Sequence, residues 1–164
     1  MPSFDVVNKL EFPEVQNAVE QARKEIIGRY DFKGTNTVLE VDEKLKTITL
    51  RSSSADRVAA AYDVLMARLM KRNISPKVLD AQPNEELPGG TVKRVTKLKE
   101  GIDDVNAKKL VGMIREAFPK GATASINGNL VRISSKSRDS LQEVIQYLKA
   151  QDLPVPLQFT NPRD

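Results

Sequence analysis

Two copies of one pattern run through this chain, and this repeat constrains the possible folds more than any other feature of the sequence. Residues 95–98 (VTKL) repeat residues 7–10 (VNKL) at an offset of 88 positions. Further along the copies the offset is 83 positions, as Ser54 and Ser137 illustrate. Self-similarity of this kind marks a structural unit that occurs twice. The sequence therefore predicts an internal duplication.

The length of the chain and its proline and glycine residues agree with two domains. A chain of 164 residues accommodates two domains of roughly 80 residues each. Pro83, Pro88, Gly89 and Gly90 lie at the junction of the two copies and are typical of a linker. We predict a first domain over residues 1–90 and a second over residues 91–164.

Each copy has the same predicted order of elements, β-α-β-β-α-β. Apolar residues at helical spacing define the helices, and short segments rich in β-branched residues define the strands. The predicted strands are residues 4–10, 37–41, 46–51 and 76–79 in the first copy, and residues 92–98, 130–134 and 156–159 in the second. Asn127 and Gly128 are predicted to form a hairpin turn. The pattern favours an α+β fold, with two helices on one face of each antiparallel sheet.

Composition excludes several classes of protein. The chain has no cysteine and no histidine, which removes disulfides, thiolate metal sites and the usual general base. No apolar run reaches the roughly 18 to 20 residues that span a bilayer, so we expect a cytoplasmic protein without membrane contact. The adjacent acidic pairs 42–43 and 103–104 are explained by turn and helix-end positions. We expect neither catalysis nor a bound cofactor or metal.

A basic segment, residues 91–99, contains the predicted first strand of the second copy. Lys93, Arg94, Lys97 and Lys99 lie here without an acidic residue among them. Such a strand is a candidate nucleic-acid-binding surface. The alternative is an edge strand whose lysines prevent pairing with other chains. Neither P-loop nor dinucleotide-binding glycine motifs occur, and the third predicted strands contain no aromatic residue for base stacking.

The loop at residues 29–34 (RYDFKG) combines aromatic and charged residues. A base could stack on Tyr30 or Phe32 while Lys33 binds a phosphate. In the alternative interpretation, Phe32 packs in the core and Gly34 forms the turn.

A second candidate lies at the start of the last helix. Lys136 and Arg138 flank Ser137, which is predicted to cap that helix. The helix amides and the two cations would attract an anion. A surface salt bridge is the alternative. The first copy has Ser53 and Ala55 at the positions of the two cations.

Four segments together resemble the bacterial YajQ family. They are residues 1–7 (MPSFDVV), 29–34 (RYDFKG), 136–142 (KSRDSLQ) and 156–161 (PLQFTN). The resemblance implies two ferredoxin-like domains whose first strands are exchanged between the two sheets. It also implies a non-enzymatic protein that binds purine nucleotides, cyclic di-GMP or tRNA, in some members in a regulatory role.

These observations lead to one main functional hypothesis and one alternative. The main hypothesis is a nucleotide-binding protein, with a purine nucleotide or a cyclic dinucleotide as ligand and tRNA or a regulatory protein as further partners. The alternative is a protein-interaction module that binds a partner protein on its open sheet faces. The candidate nucleotide-binding residues are Arg29, Tyr30, Asp31, Phe32, Lys33, Lys136, Arg138 and Asp139.

Overall fold

The structure, a computed structural model, describes all 164 residues and contains two compact units. The continuous unit is Glu11–Lys99, and the discontinuous unit combines Met1–Leu10 with Glu100–Asp164. In chain order the elements are β1 (Ser3–Val7), α1 (Phe12–Gly28), β2 (Val38–Asp42), β3 (Thr47–Ser52), α2 (Ala55–Lys71), β4 (Leu79–Ala81), β5 (Glu85–Glu86), β6 (Val92–Leu98), α3 (Asp104–Ala117), β7 (Ala122–Asn127), β8 (Leu130–Ser135), α4 (Arg138–Lys149) and β9 (Gln158–Arg163).

The predicted α+β class is confirmed by four α-helices and two antiparallel sheets. No helix combines the length and the apolar composition that crossing a membrane requires.

In the continuous unit the sheet order is β2-β3-β6-β4, and β5 pairs with β6. Strand β3 explains how the sheet is covered, since alternate side chains of a strand point to opposite faces. Ile48 and Leu50 are fully buried, whereas Thr49 and Arg51 between and beside them are partly exposed. The buried face of this sheet contacts α1 through β2 and α2 through β3. The buried residues of both helices recur at helical spacing.

The helix boundaries follow from local chemistry. Pro13 lies in the first turn of α1, where its missing N–H costs no hydrogen bond. The Ser54 hydroxyl accepts a hydrogen bond from the Arg57 amide at 3.2 Å and caps α2. The same arrangement recurs at α4, where Ser137 accepts from the Ser140 amide at 3.1 Å. Both serines were predicted from the sequence as caps.

In the discontinuous unit the sheet order is β7-β8-β1-β9, so that β1 is a central strand. Val6 of β1 lies opposite Val131 of β8 on one side and Phe159 of β9 on the other. Phe4 and Val6 are buried among apolar residues of α3 and α4. The Phe4 and Phe159 rings meet edge to face with their centroids 5.9 Å apart.

Three local predictions were wrong. The predicted linker contains β5, which pairs with the start of β6 through Glu85 opposite Lys93. The segment predicted as the last strand of the first copy begins as a 3-10 turn, Pro76–Val78, because the Ser75 hydroxyl accepts from the Lys77 amide at 3.2 Å; β4 follows it. The β7–β8 turn is formed by residues 128–129, since Asn127 pairs with Leu130.

Strand β9 is also longer than predicted. It extends to Arg163, and its register against β1 shifts between Ser3 and Asp5. Asn161 lies at this bulge with a φ of 53°, a left-handed conformation that asparagine tolerates better than most residues.

The central position of β1 generates a prediction about fragments. Glu100–Asp164 expressed alone should be poorly folded, because β8 and β9 lose the strand that joins them and Ile133 loses its apolar neighbour Phe4. Addition of a synthetic peptide of residues 1–10 should restore helical circular dichroism and a cooperative thermal transition. A peptide with Phe4 and Val6 both changed to Ser is the control and should restore neither. Cooperative unfolding of the fragment without any peptide would contradict this prediction.

Candidate functional site

The aromatic loop forms one turn of 3-10 helix, Tyr30–Phe32, soon after α1 in the continuous unit. Phe32 is 5% exposed and Tyr30 is 87% exposed. A buried ring offers no face to a base, so Tyr30 is the aromatic side chain of this loop that a ligand can reach. The Lys33 ammonium lies 5.9 Å from the centre of the Tyr30 ring, a distance at which a cation is attracted to the ring.

Asp31 organises the charges of this loop. Its carboxylate accepts hydrogen bonds from Arg29 at 2.7 and 3.0 Å and from Arg57 at 3.2 Å. The two guanidinium groups lie 5.1 and 5.6 Å from the centre of the Phe32 ring. Hydrogen bonding to Arg29 holds the pKa of Asp31 below its ordinary value despite the opposing effect of burial. A phosphate at Arg29 would therefore compete with Asp31.

The helix-start candidate belongs to the discontinuous unit. Lys136 and Asp139 are exposed beside the Ser137 cap. Arg138 forms an ion pair with Asp164, and both side chains are largely exposed. The predicted anion site thus contains a cation that already has a carboxylate partner.

A cleft of about 400 Å³ lies beside this helix start. Strand β1 contributes one wall, α4 a second and the end of β9 a third. The cleft is lined by Pro2, Ser3, Phe4, Arg138, Leu141, Gln142, Ile145, Pro162, Arg163 and Asp164. Lys136 and Asp139, two of the predicted residues, do not line it. The walls combine an apolar surface with cationic residues, the composition that holds an organic group with a negatively charged substituent.

The predicted basic strand does not form a single patch. Strand pairing places Lys93 and Lys97 on one face of β6 and Arg94 on the other. The Lys93 ammonium is 3.3 Å from Glu85. Arg94 donates a 2.9 Å hydrogen bond to Asn84, and its guanidinium lies 5.2 Å from the centre of the Tyr62 ring. Lys99 follows the strand.

A cluster around Asp5 was missed by the sequence reasoning. Asp5 is 1% exposed although it is charged. Its Oδ1 accepts from Arg132 of β8 at 2.9 Å, and its Oδ2 accepts from Asn161 and Arg163 of β9 at 3.0 and 3.4 Å. The available signal was one acidic residue within an otherwise uncharged strand (SFDVV). A buried carboxylate requires such partners.

The chain is similar over almost its whole length to a family of known proteins. The family model described as "Nucleotide-binding protein YajQ-like" matches residues 2–163. The chain belongs to this family. It is 45% identical to a nucleotide-binding protein of Anaeromyxobacter sp. (strain K) over 164 residues, with 100% of both chains covered. It is 45% identical over 159 residues to a nucleotide-binding protein of Thermobifida fusca (strain YX), with 97% of this chain and 96% of the relative covered. The names describe nucleotide-binding proteins, not enzymes.

In this YajQ-like protein the Asp5 cluster lies close to the cleft, because Arg163 belongs to both. Burial acts to raise the pKa of Asp5. The hydrogen bonds from Arg132 and Asn161, together with the charges of Arg132 and Arg163, outweigh burial and hold the pKa of Asp5 below its ordinary value. Asp5 is therefore ionised at neutral pH and contributes its ion pairs to stability.

The lowered pKa of Asp5 predicts a pH dependence. An unfolded aspartate titrates near about pH 3.9, so the contribution of Asp5 is complete above that pH and is lost as the pH falls through its lower folded value. Asp5→Asn should lower the free energy of unfolding by about 1 to 3 kcal/mol at pH 7. Urea unfolding from pH 7 to pH 3 should show this difference from wild type shrinking below about pH 4.

Asp104→Asn provides the control for this titration, because Asp104 is an exposed aspartate in the first turn of α3. Its effect should be within about 0.5 kcal/mol. A pH-independent difference between wild type and Asp5→Asn would contradict the assigned role of the Asp5 charge.

Proposed function

We propose that this chain is a cytosolic, non-catalytic protein that binds a purine nucleotide or a cyclic dinucleotide in the cleft beside α4. The observation that carries the proposal is the coexistence, in one cleft of about 400 Å³, of an apolar wall and the cationic start of a helix. Family membership supports a nucleotide as the ligand.

The proposed contacts follow from the lining of the cleft. Pro2, Ile145 and Pro162 line the cleft, are not buried and offer apolar surface to a base or a ribose. The first amides of α4 have no acceptor within the helix, and together with the positive end of the helix dipole they favour a phosphate. Arg138 adds a charge at the same end. Its ion pair with Asp164 is exposed, and an exposed pair contributes little, so a phosphate can replace Asp164 at small cost.

We also infer that the chain is a duplicated ferredoxin-like unit, residues 1–90 and 91–164, whose first strands are exchanged. The pairing of strands supports this inference. Strand β1 belongs to the first repeat but pairs with β8 and β9 of the second. Strand β6 belongs to the second repeat but pairs with β3 and β4 of the first. Each sheet thereby contains one opening strand from the other repeat.

The cleft assignment predicts which cations matter. Arg138→Ala should weaken binding of the fluorescent nucleotide MANT-GTP by about fivefold or more, the effect of losing one charge-assisted contact. Lys136→Ala in addition should weaken it further, by removing charge near the same helix start. The measurement is a fluorescence titration at constant salt, with thermal unfolding to verify folding.

Arg115→Ala is the matched control, since Arg115 is an exposed arginine on α3 of the same unit. It should leave the affinity unchanged. Equal losses for Arg138→Ala and Arg115→Ala would indicate that only net charge matters and would remove the cleft assignment.

A second candidate function, binding of single-stranded RNA such as the loops of tRNA, is favoured by the exposed Tyr30 ring beside Lys33. Base stacking on an aromatic ring is insensitive to base identity, and phosphate contacts make binding depend on salt. This site belongs to the continuous unit and is independent of Arg138.

For this second candidate, Tyr30→Ala should weaken binding of a fluorescein-labelled oligouridylate by about 1 to 3 kcal/mol, whereas Tyr30→Phe should retain it because the ring remains. The logarithm of the affinity should fall with the logarithm of salt concentration by about 0.7 per phosphate contacted. Unchanged RNA binding by Tyr30→Ala would exclude the stacking role. Anisotropy titrations at several salt concentrations make both measurements.

A further inference from the structure

The carboxylate of Asp5 has no part in the proposed nucleotide contacts, because a side chain that is 1% exposed cannot reach a ligand in the cleft. Its hydrogen bonds nevertheless reach the segment that forms the third wall. Asn161 and Arg163 both donate hydrogen bonds to Oδ2. Pro162 lies between them in the sequence, and residues 162–164 line the cleft.

We propose that Asp5 is a positioning residue for the cleft. Its carboxylate fixes the bulged end of β9 and thereby the wall formed by residues 162–164. The inference rests on the proposed function, since it assigns Asp5 a role in binding through residues that surround the ligand. Asp5 itself touches no ligand.

The division of hydrogen bonds between the two carboxylate oxygens explains why an acid is needed here. Oδ1 accepts from Arg132 of β8 at 2.9 Å, and Oδ2 accepts from Asn161 of β9 at 3.0 Å. The side chain therefore ties together the two strands that flank β1. An amide in place of the carboxylate would present an N–H group to the donors on one side, and at least one of the three hydrogen bonds would be lost.

The backbone of β9 also depends on this anchor. The β1–β9 register shifts between Ser3 and Asp5, and Asn161 holds a φ of 53°. Such a conformation costs free energy even for asparagine, and a constraint from a neighbouring side chain can offset that cost. The hydrogen bond from the Asn161 side chain to Asp5 is such a constraint, and the next residue, Pro162, is the first to line the cleft.

The effect extends to the cation proposed to bind phosphate. Asp164 ends the wall and forms the ion pair with Arg138. If this wall moves, Asp164 moves with it. The competition between Asp164 and a phosphate for Arg138 then changes. Asp5 thus acts on the ligand through β9.

The test is a double-mutant cycle on the full chain with MANT-GTP as the probe. Asp5→Asn should weaken binding about tenfold, equivalent to loss of one well-placed charged contact. In the Asn161→Gly background the same change should add about threefold and not tenfold, because part of its effect passes through the hydrogen bond from Asn161 that this background already lacks. A purely structural defect would lower stability in both backgrounds without this non-additivity. Additive losses, or an unchanged affinity in Asp5→Asn, would overturn the proposal.

Asn161→Gly keeps the proposal testable if Asp5→Asn folds poorly. Glycine adopts the positive φ of this position without strain, so the substitution removes the bond to Asp5 and retains the bulge conformation. Affinity should fall about threefold, and unchanged affinity in a folded Asn161→Gly protein would overturn the role of this bond.

Two further measurements separate this proposal from the proposed function. If Arg138→Ala weakens MANT-GTP binding and Asp5→Asn does not, the cleft assignment stands and the positioning role fails. If Arg138→Ala has no effect, the cleft assignment fails, and hydrogen exchange decides the positioning role without a ligand. Asp5→Asn should then accelerate amide exchange at residues 160–164 relative to α3, and Asp104→Asn should not. Unchanged exchange at residues 160–164 would overturn it.

Discussion

The position of β1 between β8 and β9 is the constraint on which the discontinuous unit depends. Its backbone supplies the hydrogen bonds for two neighbours, and Phe4 and Val6 supply apolar surface to a core otherwise built from residues after Glu100. Bringing such distant segments together costs chain entropy, although that cost grows only slowly with loop length. Burial of apolar side chains offsets it. Contacts of this sequence separation also favour slow folding.

The local part of this fold could be predicted from the sequence. Helical periodicity and the caps Ser54 and Ser137 depend on neighbouring residues, and the structure has α2 and α4 where these signals place them. Strand β5 escaped prediction because it consists of two acidic residues and has no strand propensity of its own. It exists because β6 offers a pairing edge with Lys93 opposite Glu85. Non-local pairing thus decides elements that propensity cannot.

The cations of the candidate site could be predicted from the sequence, whereas their carboxylate partners could not. A helix start flanked by Lys136 and Arg138 is visible in the sequence, whereas the pairing of Arg138 with Asp164 depends on the path of β9. Asn161, at the bulge of β9, donates a hydrogen bond to Asp5, a residue near the other end of the chain. The separation of Arg94 from Lys93, in contrast, could have been predicted from the sequence, because alternate side chains of a strand point to opposite faces.

Pairing of the cations with carboxylates has a consequence for how a ligand binds. Arg29 holds Asp31, Lys93 holds Glu85 and Arg138 holds Asp164. A phosphate that binds one of these cations displaces a carboxylate, so the free energy of the new charge-assisted contact is partly offset by the loss of the old one. The remainder of the affinity must come from burial of apolar ligand surface and from the preorganised shape of the site. That requirement favours a compact cleft with a fixed wall, such as the one beside α4, over an open basic surface.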